Sequence, residues 1–212
     1  MFEIFDTRIS SAIIQHIDQM RAAGLAVLAY YYFDSRESKK QDLYGLLASL
    51  LCQLSDESDS CLDILSKLYS DCNDGTRKPS SSAASGCLTD MLKLPGQGRI
   101  YVIIDALDEC PTSNVPGRPS AREEVLELIK EVVGCEIPNV HLCVANRLEI
   151  DVMKFLRPLT PLEISLHDEV GHMDDVAKYI ESSVHSYSKA KGWNKEETQL
   201  IIDTLLDKAD GM

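Results

Sequence analysis

The residues best equipped to do chemistry are the acids that close an apolar run. Ile100-Tyr101-Val102-Ile103-Ile104 leads straight into Asp105, and Asp108 and Glu109 follow three and four positions later. A continuous, β-branched run of this length predicts a strand covered by helices on both faces. Ligands of open α/β sheets bind at the carboxyl ends of such strands. A carboxylate at that end, Asp105, can hold Mg²⁺ directly or through water, because Mg²⁺ prefers oxygen ligands and bridges to substrate phosphates. Acids a few residues on, Asp108 and Glu109, can orient or deprotonate an attacking water. Taken alone, the segment is more simply read as a strand whose following loop is capped and solvated by two acids.

The elements that must position these acids are legible in the apolar spacing. Ile9, Ala12, Ile13, Ile17 and Met20 form a helical stripe closed by Gly24, and Ala26 to Phe33 reads as a buried strand. Leu43, Leu46, Leu47, Leu50, Leu51 and Leu54 predict a second helix, and Leu62, Leu65, Leu68 and Tyr69 a third. From Asn73 to Gly86 the chain turns to Gly, Ser, Pro and Lys, the composition of a mobile surface loop. A Pro- and Gly-rich loop from Pro111 to Ser120 precedes a helix marked by Val125, Leu126, Ile129, Val132 and Val133. Val140 to Ala145 and Leu162 to Leu166 are further strand candidates. Strands alternating with helices predict a parallel, doubly wound sheet. Beyond Gly171 the pattern is helical, with Met173, Val176, Ala177, Ile180 and Val184 on one face and Ile201, Ile202, Leu205 and Leu206 on another, the latter opened by a capping-box pair, Asn194 and Glu197. The expected division is an α/β core over 1–170 and the start of a helical subdomain over 171–212.

Composition removes several classes of function. The 212 residues carry a formal charge of −13, and no basic stripe exists to neutralise phosphates, so nucleic acid is not an expected partner. The most apolar stretch, Ala22 to Phe33, is too short for a membrane span, and no basic-then-apolar leader opens the chain. A cytoplasmic setting is the expectation. The seven cysteines include no CxxC pair and read as reduced core thiols; the five histidines show no metal-binding spacing. His141 and His167, beside strand residues, read as buried and hydrogen-bonded, Trp193 as a packing anchor, and Tyr30 to Tyr32 as strand residues.

The chain also resembles a known family, the NACHT domains of fungal STAND proteins, including those described as having a nephrocystin-3-like N-terminal domain. The resemblance is carried by Ser10-Ser11-Ala12-Ile13-Ile14, Ala29-Tyr30-Tyr31-Tyr32-Phe33-Asp34, Ile103 through Cys110, Ile137-Pro138-Asn139-Val140-His141 and Lys208 through Met212, in the family's order. Asp-Ala-Leu-Asp-Glu-Cys after a strand is its most specific part and corresponds to the family's Walker B segment. The resemblance implies a P-loop NTPase-like parallel sheet flanked by helices, with Asp105 serving Mg²⁺, Asp108 and Glu109 activating water, and ATP or GTP as ligand. Arg147 sits where the family carries a phosphate-sensing arginine, although Ala145-Asn146-Arg147-Leu148 stands in place of the usual Thr-Ser-Arg-Pro, and a plain surface arginine is the alternative.

The departure from the family lies just before Ser10. Its members carry a glycine-rich loop ending Gly-Lys-Ser/Thr there, whose amides and lysine cradle phosphates. Here Thr7 falls at the hydroxyl position, Asp6 at the lysine, and Phe2, Glu3, Ile4 and Phe5 across the glycines. An anion in place of the lysine reverses the required charge, and side chains replace the glycines that let a backbone approach phosphate. The strand that precedes this loop in the family is also missing, which leads us to expect a gap inside the sheet, with Phe2 to Phe5 as a short filler, and a truncated or alternatively spliced product or an incomplete gene model. The sequence thus predicts a NACHT-type switch module deficient in nucleotide binding, with protein partners through effector and sensor domains and with possible self-association. The alternative is a scaffold that keeps the shape and pairs with full-length relatives; a hydrolase using the three acids alone ranks last.

Overall fold

Three apolar runs form the sheet, and their burial explains why they are continuous rather than alternating. In the computed structural model, which describes residues 7–112, 117–147, 149–164 and 172–209, β1 (Ala26–Tyr32), β2 (Arg99–Asp105) and β3 (Val140–Val144) pair in parallel in the order β1-β2-β3. Side chains at 7–9, 172–176, 188–191 and 207–209 fall outside that description. On one face, Ala26, Leu28 and Ile103 pack with Ile17 of helix α1 (Thr7–Ala22). On the other, Ala29, Tyr31, Val102 and Ile104 join the main core with α2 (Leu43–Ser55) and α5 (Ala121–Gly134). Strand residues that are buried on both sides cannot afford polar alternates.

The parallel α/β architecture is the one the sequence predicts. Helix α1 ends as expected at Gly24, whose φ of +71° lets the Leu25 N–H return to the Met20 carbonyl at 2.9 Å. Helix α2 starts on Asp42, whose side chain accepts the Gly45 N–H at 2.8 Å. A Cβ at Gly45 would run into the Lys39 carbonyl and the Tyr31 hydroxyl, so only glycine allows this close approach. The three described strands are directly paired, β1 with β2 and β2 with β3. The outer edge of β1 is closed by a side chain: Gln53 accepts the Tyr30 N–H at 3.0 Å and donates to the Tyr30 carbonyl at 2.8 Å.

Three local expectations are corrected. The segment read as a mobile loop to Gly86 becomes helix α4 (Ser81–Leu92) from Ser81 on, with Ala84, Cys87, Leu88, Met91 and Leu92 buried. Its Ser80 cap accepts the Ala83 N–H at 3.2 Å, and the small residues that suggested disorder let this helix pack closely. In α3 (Asp59–Asp71) the buried face runs through Cys61, with Ile64, Leu65 and Leu68 packed against the core, while Leu62 and Tyr69 are exposed. Residues 162–164 form no strand; the rest of that candidate, like His167, lies outside the described residues. Helix α6 (Ile150–Leu156) was not anticipated.

The chain divides into two compact units, Met1–Ile164 and Ser165–Met212. The second contains α7 (His172–Lys191) and α8 (Lys195–Ala209), with Val184 and Ile202 buried. The predicted capping box is present: Glu197 N–H to Asn194 Oδ1 and Asn194 N–H to Glu197 Oε2, both 2.9 Å. Trp193, expected as an anchor, is 38% exposed. No described helix is long and apolar enough to cross a membrane. None of the seven cysteines forms a disulfide, and Cys61, Cys72, Cys87 and Cys110 are buried.

Candidate functional site

Parallel pairing brings the carboxyl ends of all three strands to one edge. Tyr32 pairs with Asp105 and Ile104 with Val144, and the alignment continues past the strands: Phe33 N–H donates to the Asp105 carbonyl at 3.0 Å and Leu107 N–H to the Ala145 carbonyl at 3.2 Å. The segments beginning at Asp34, Asp105 and Asn146 therefore leave the sheet side by side. Helix α1 starts at the same edge, because Ser11 hydrogen-bonds the Tyr32 hydroxyl at the end of β1 while Met20 meets Leu25 at its beginning. Thr7 opens that helix, but its side chain and the whole of Met1 to Asp6 lie outside the described residues.

Asp105 is 1% exposed, and its Oδ1 accepts the N–H of Ala106 at 2.9 Å. Ala106 is held left-handed, at φ 54° and ψ 43°, a conformation that costs a residue with a Cβ about 1–2 kcal/mol. That turn throws the next residues into a single 3₁₀ turn, Leu107–Glu109, with Leu107 fully buried beneath it. Strain at the junction of strand and acidic loop is characteristic of functional segments.

The loop sends its two acids in opposite directions. Glu109 Oε2 accepts the Ser35 N–H at 2.8 Å, tying the loop to the segment after β1. Asp108 Oδ1 accepts the Arg147 N–H at 3.1 Å, and its Oδ2 lies 3.8 Å from Arg147 Nε, tying it to the segment after β3. Arg147 is otherwise open, its side chain 86% exposed. Beyond β1, Arg36 makes a two-pronged contact with Asp34, 2.9 Å on each oxygen. Hydrogen bonding to Arg36 pulls the Asp34 pKa down to about 2. The structure thus gathers Asp105, Asp108, Glu109 and Arg147 at one edge.

Sequence reasoning missed Arg122, a buried arginine at the start of α5. Its Nε donates to the Cys110 carbonyl at 3.0 Å, its Nη2 to the Asp108 carbonyl, and its Nη1 to Asp151 Oδ2 of α6 at 3.0 Å. The Ser120/Glu123 capping box that begins α5 was readable from Ser-x-x-Glu spacing, whereas nothing in the sequence signals that Arg122 turns inward.

Asp105 and Asp108 offer the oxygen donors that Mg²⁺ uses, one or two per site. Among the described residues no three His, Cys, Asp or Glu side chains converge to hold a metal by themselves. Two arginines of this edge face its acids, Arg36 with Asp34 and Arg147 with Asp108. No glycine lies in the segments 33–37, 105–110 or 145–147. An apolar cavity of about 150 Å³, lined by Val132, Ile137, Val140, Leu142 and Pro161 among others, lies toward the opposite end of β3.

A search of the curated proteins returns no match. The family model described as Nephrocystin 3, N-terminal, matches residues 7–147, from the first residue of α1 through β1, the acidic loop and β3 to Arg147. The matched span thus holds every described element that builds the acidic edge, apart from Asp151 of α6, and covers well over half the chain: the protein belongs to the nephrocystin 3 N-terminal family.

Proposed function

We propose that the chain is a NACHT-type nucleotide-switch module that is deficient in nucleotide binding as it stands. In this reading Asp105 is the residue for Mg²⁺, Asp108 and Glu109 face the water, and Arg147 and Thr7 are the groups nearest to phosphate in role, for ATP or GTP. The observation that supports the deficiency is the charge of the edge, where Arg36 is engaged by Asp34 and Arg147 by Asp108. The replacement of the lysine by Asp6 works in the same direction. A cytoplasmic signalling role, with effector and sensor domains as protein partners, belongs to the same proposal.

A scaffold that pairs with relatives through the same fold is the second reading. It is favoured by Asp108 and Glu109 both spending their carboxylates on backbone N–H groups of neighbouring segments, which is what structural acids do. Both readings predict the same ligand behaviour. A ligand that binds only the native state stabilises it by about 2.7 kcal/mol at a hundred times its Kd. The urea midpoint is therefore expected to stay unchanged with Mg²⁺ and ATP or GTP at about millimolar concentration; a rise that needs both metal and nucleotide overturns the deficiency.

A further inference from the structure

We infer that Arg122 is a positioning residue that latches the acidic loop after β2 to α6, so that Asp108 and Arg147 are carried as one unit whose outer handle is Asp151. The contacts close a ring. Arg122 holds the carbonyls of Asp108 and Cys110 with two of its nitrogens and the Asp151 carboxylate with the third. Asp151 stands in the first turn of α6, and the chain just before α6 contains Arg147, whose N–H is held by the side chain of Asp108. Asp108 is therefore gripped twice, through its carbonyl by Arg122 and through its carboxylate by the segment that leads into α6. Neither segment can shift without stretching a bond to the other.

The chemistry of the group suits a latch. The Arg122 side chain is 9% exposed, so its charge has left water and depends on the partners it has; removing one leaves a buried charge undercompensated. A planar guanidinium can aim separate N–H groups at two carbonyls and a carboxylate, which a lysine ammonium on its flexible stem does poorly. Asp151, by contrast, is 53% exposed, so the ring can be opened from outside without entering the core. The chain leaves the α/β unit through α6 and the residues after it, so the handle sits on the covalent path toward the helical unit. This inference goes beyond the nucleotide reading and does not depend on any ligand binding at the edge.

Hydrogen exchange on the full chain tests it, with Asp151→Asn, Asp151→Glu and Arg122→Lys as variants. The latch predicts that Asp151→Asn speeds exchange about fivefold in peptides covering Asp105–Cys110 and Ala145–Arg147, as well as in α6, while β1 and α2 keep the wild-type rates. Arg122→Lys, which keeps the charge and loses the fork, produces the same two-segment pattern, and Asp151→Glu restores wild-type exchange in the acidic loop. An increase confined to α6, no change in either segment, or a uniform rise across the chain overturns the inference, since a merely local anchor or a global loss of stability would give those results.

Discussion

Ser10 is the position where a single atom makes a sharp prediction. It lies in α1, it is 0% exposed, and its hydroxyl has no hydrogen-bond partner among the described residues. A hydroxyl stripped of water without a replacement bond costs about 1–3 kcal/mol. Alanine removes that penalty, and in a helix it also gains up to about 0.5 kcal/mol in intrinsic propensity over serine. Against this stands the void left by one oxygen atom, too small for water, which forfeits packing worth about 0.5–1 kcal/mol. Ser10→Ala is therefore expected to stabilise the protein by about 1–2 kcal/mol. With a urea m-value of about 2 kcal/mol/M, that raises the unfolding midpoint by about 0.5–1 M. Ser11→Ala is the matched control: it removes a neighbouring hydroxyl that hydrogen-bonds Tyr32, so it should gain less or lose. A lower midpoint for Ser10→Ala than for the wild type would show that the hydroxyl has a partner in solution and would refute the reasoning.

Three other predictions rest on single residues. Ala106→Gly should raise stability by about 0.5–1 kcal/mol by relieving the left-handed strain, whereas Ala106→Val should cost more than about 1 kcal/mol; urea unfolding of the pair checks the sign. Burial pushes the Cys110 thiol up to about 12 and the Cys87 thiol up to about 11, so at pH 8 iodoacetamide should label exposed Cys52 well before either, and early labelling of Cys110 in folded protein would contradict that. Burial, with a smaller contribution from Arg99, lowers the pKa of His141 in the folded state, so the unfolded chain takes up the proton first as the pH falls. Its contribution to stability is thus whole above the unfolded value of about 6.5 and is lost as the pH falls through the folded value. His141→Gln should flatten the stability profile between about pH 7 and 5, and an unchanged slope would remove His141 from the account.

How far the sequence reaches depends on how a signal is written in residue types. The sheet was legible because a strand buried on both faces must be continuously apolar, as Ile100–Ile104 is, and because an acid at its end stands out against that background. Gly24 and the Asn194/Glu197 pair were legible because helix ends demand particular residues. Helix α4 was hidden by its own packing: Ala84 and Cys87 bury against neighbours because they are small, and small residues look like loop. On α3, Leu62 and Tyr69 fit a helical stripe as well as Cys61 and Ile64 do, and only tertiary packing decides which stripe turns inward.

At the site, the sequence named Asp105, Asp108, Glu109 and Arg147, and the parallel register brings them to one edge. What it could not show is direction. Glu109 leans to Ser35 and Asp108 to Arg147, because a left-handed Ala106 starts a tight turn between two neighbouring segments whose N–H groups lie within reach. Arg122 was invisible for a related reason. An arginine in the first turn of an amphipathic helix ordinarily faces water, and only the carbonyls freed by the turn above it draw this one inside.

The central claim, that the acidic edge does not retain nucleotide, is tested most directly by titrating the purified, folded chain with fluorescent ATP and GTP analogues in the presence of Mg²⁺, alongside Asp105→Ala. The account predicts no saturable binding below about millimolar concentration for either protein. Micromolar binding that disappears in Asp105→Ala would contradict it and would make this edge a working nucleotide site.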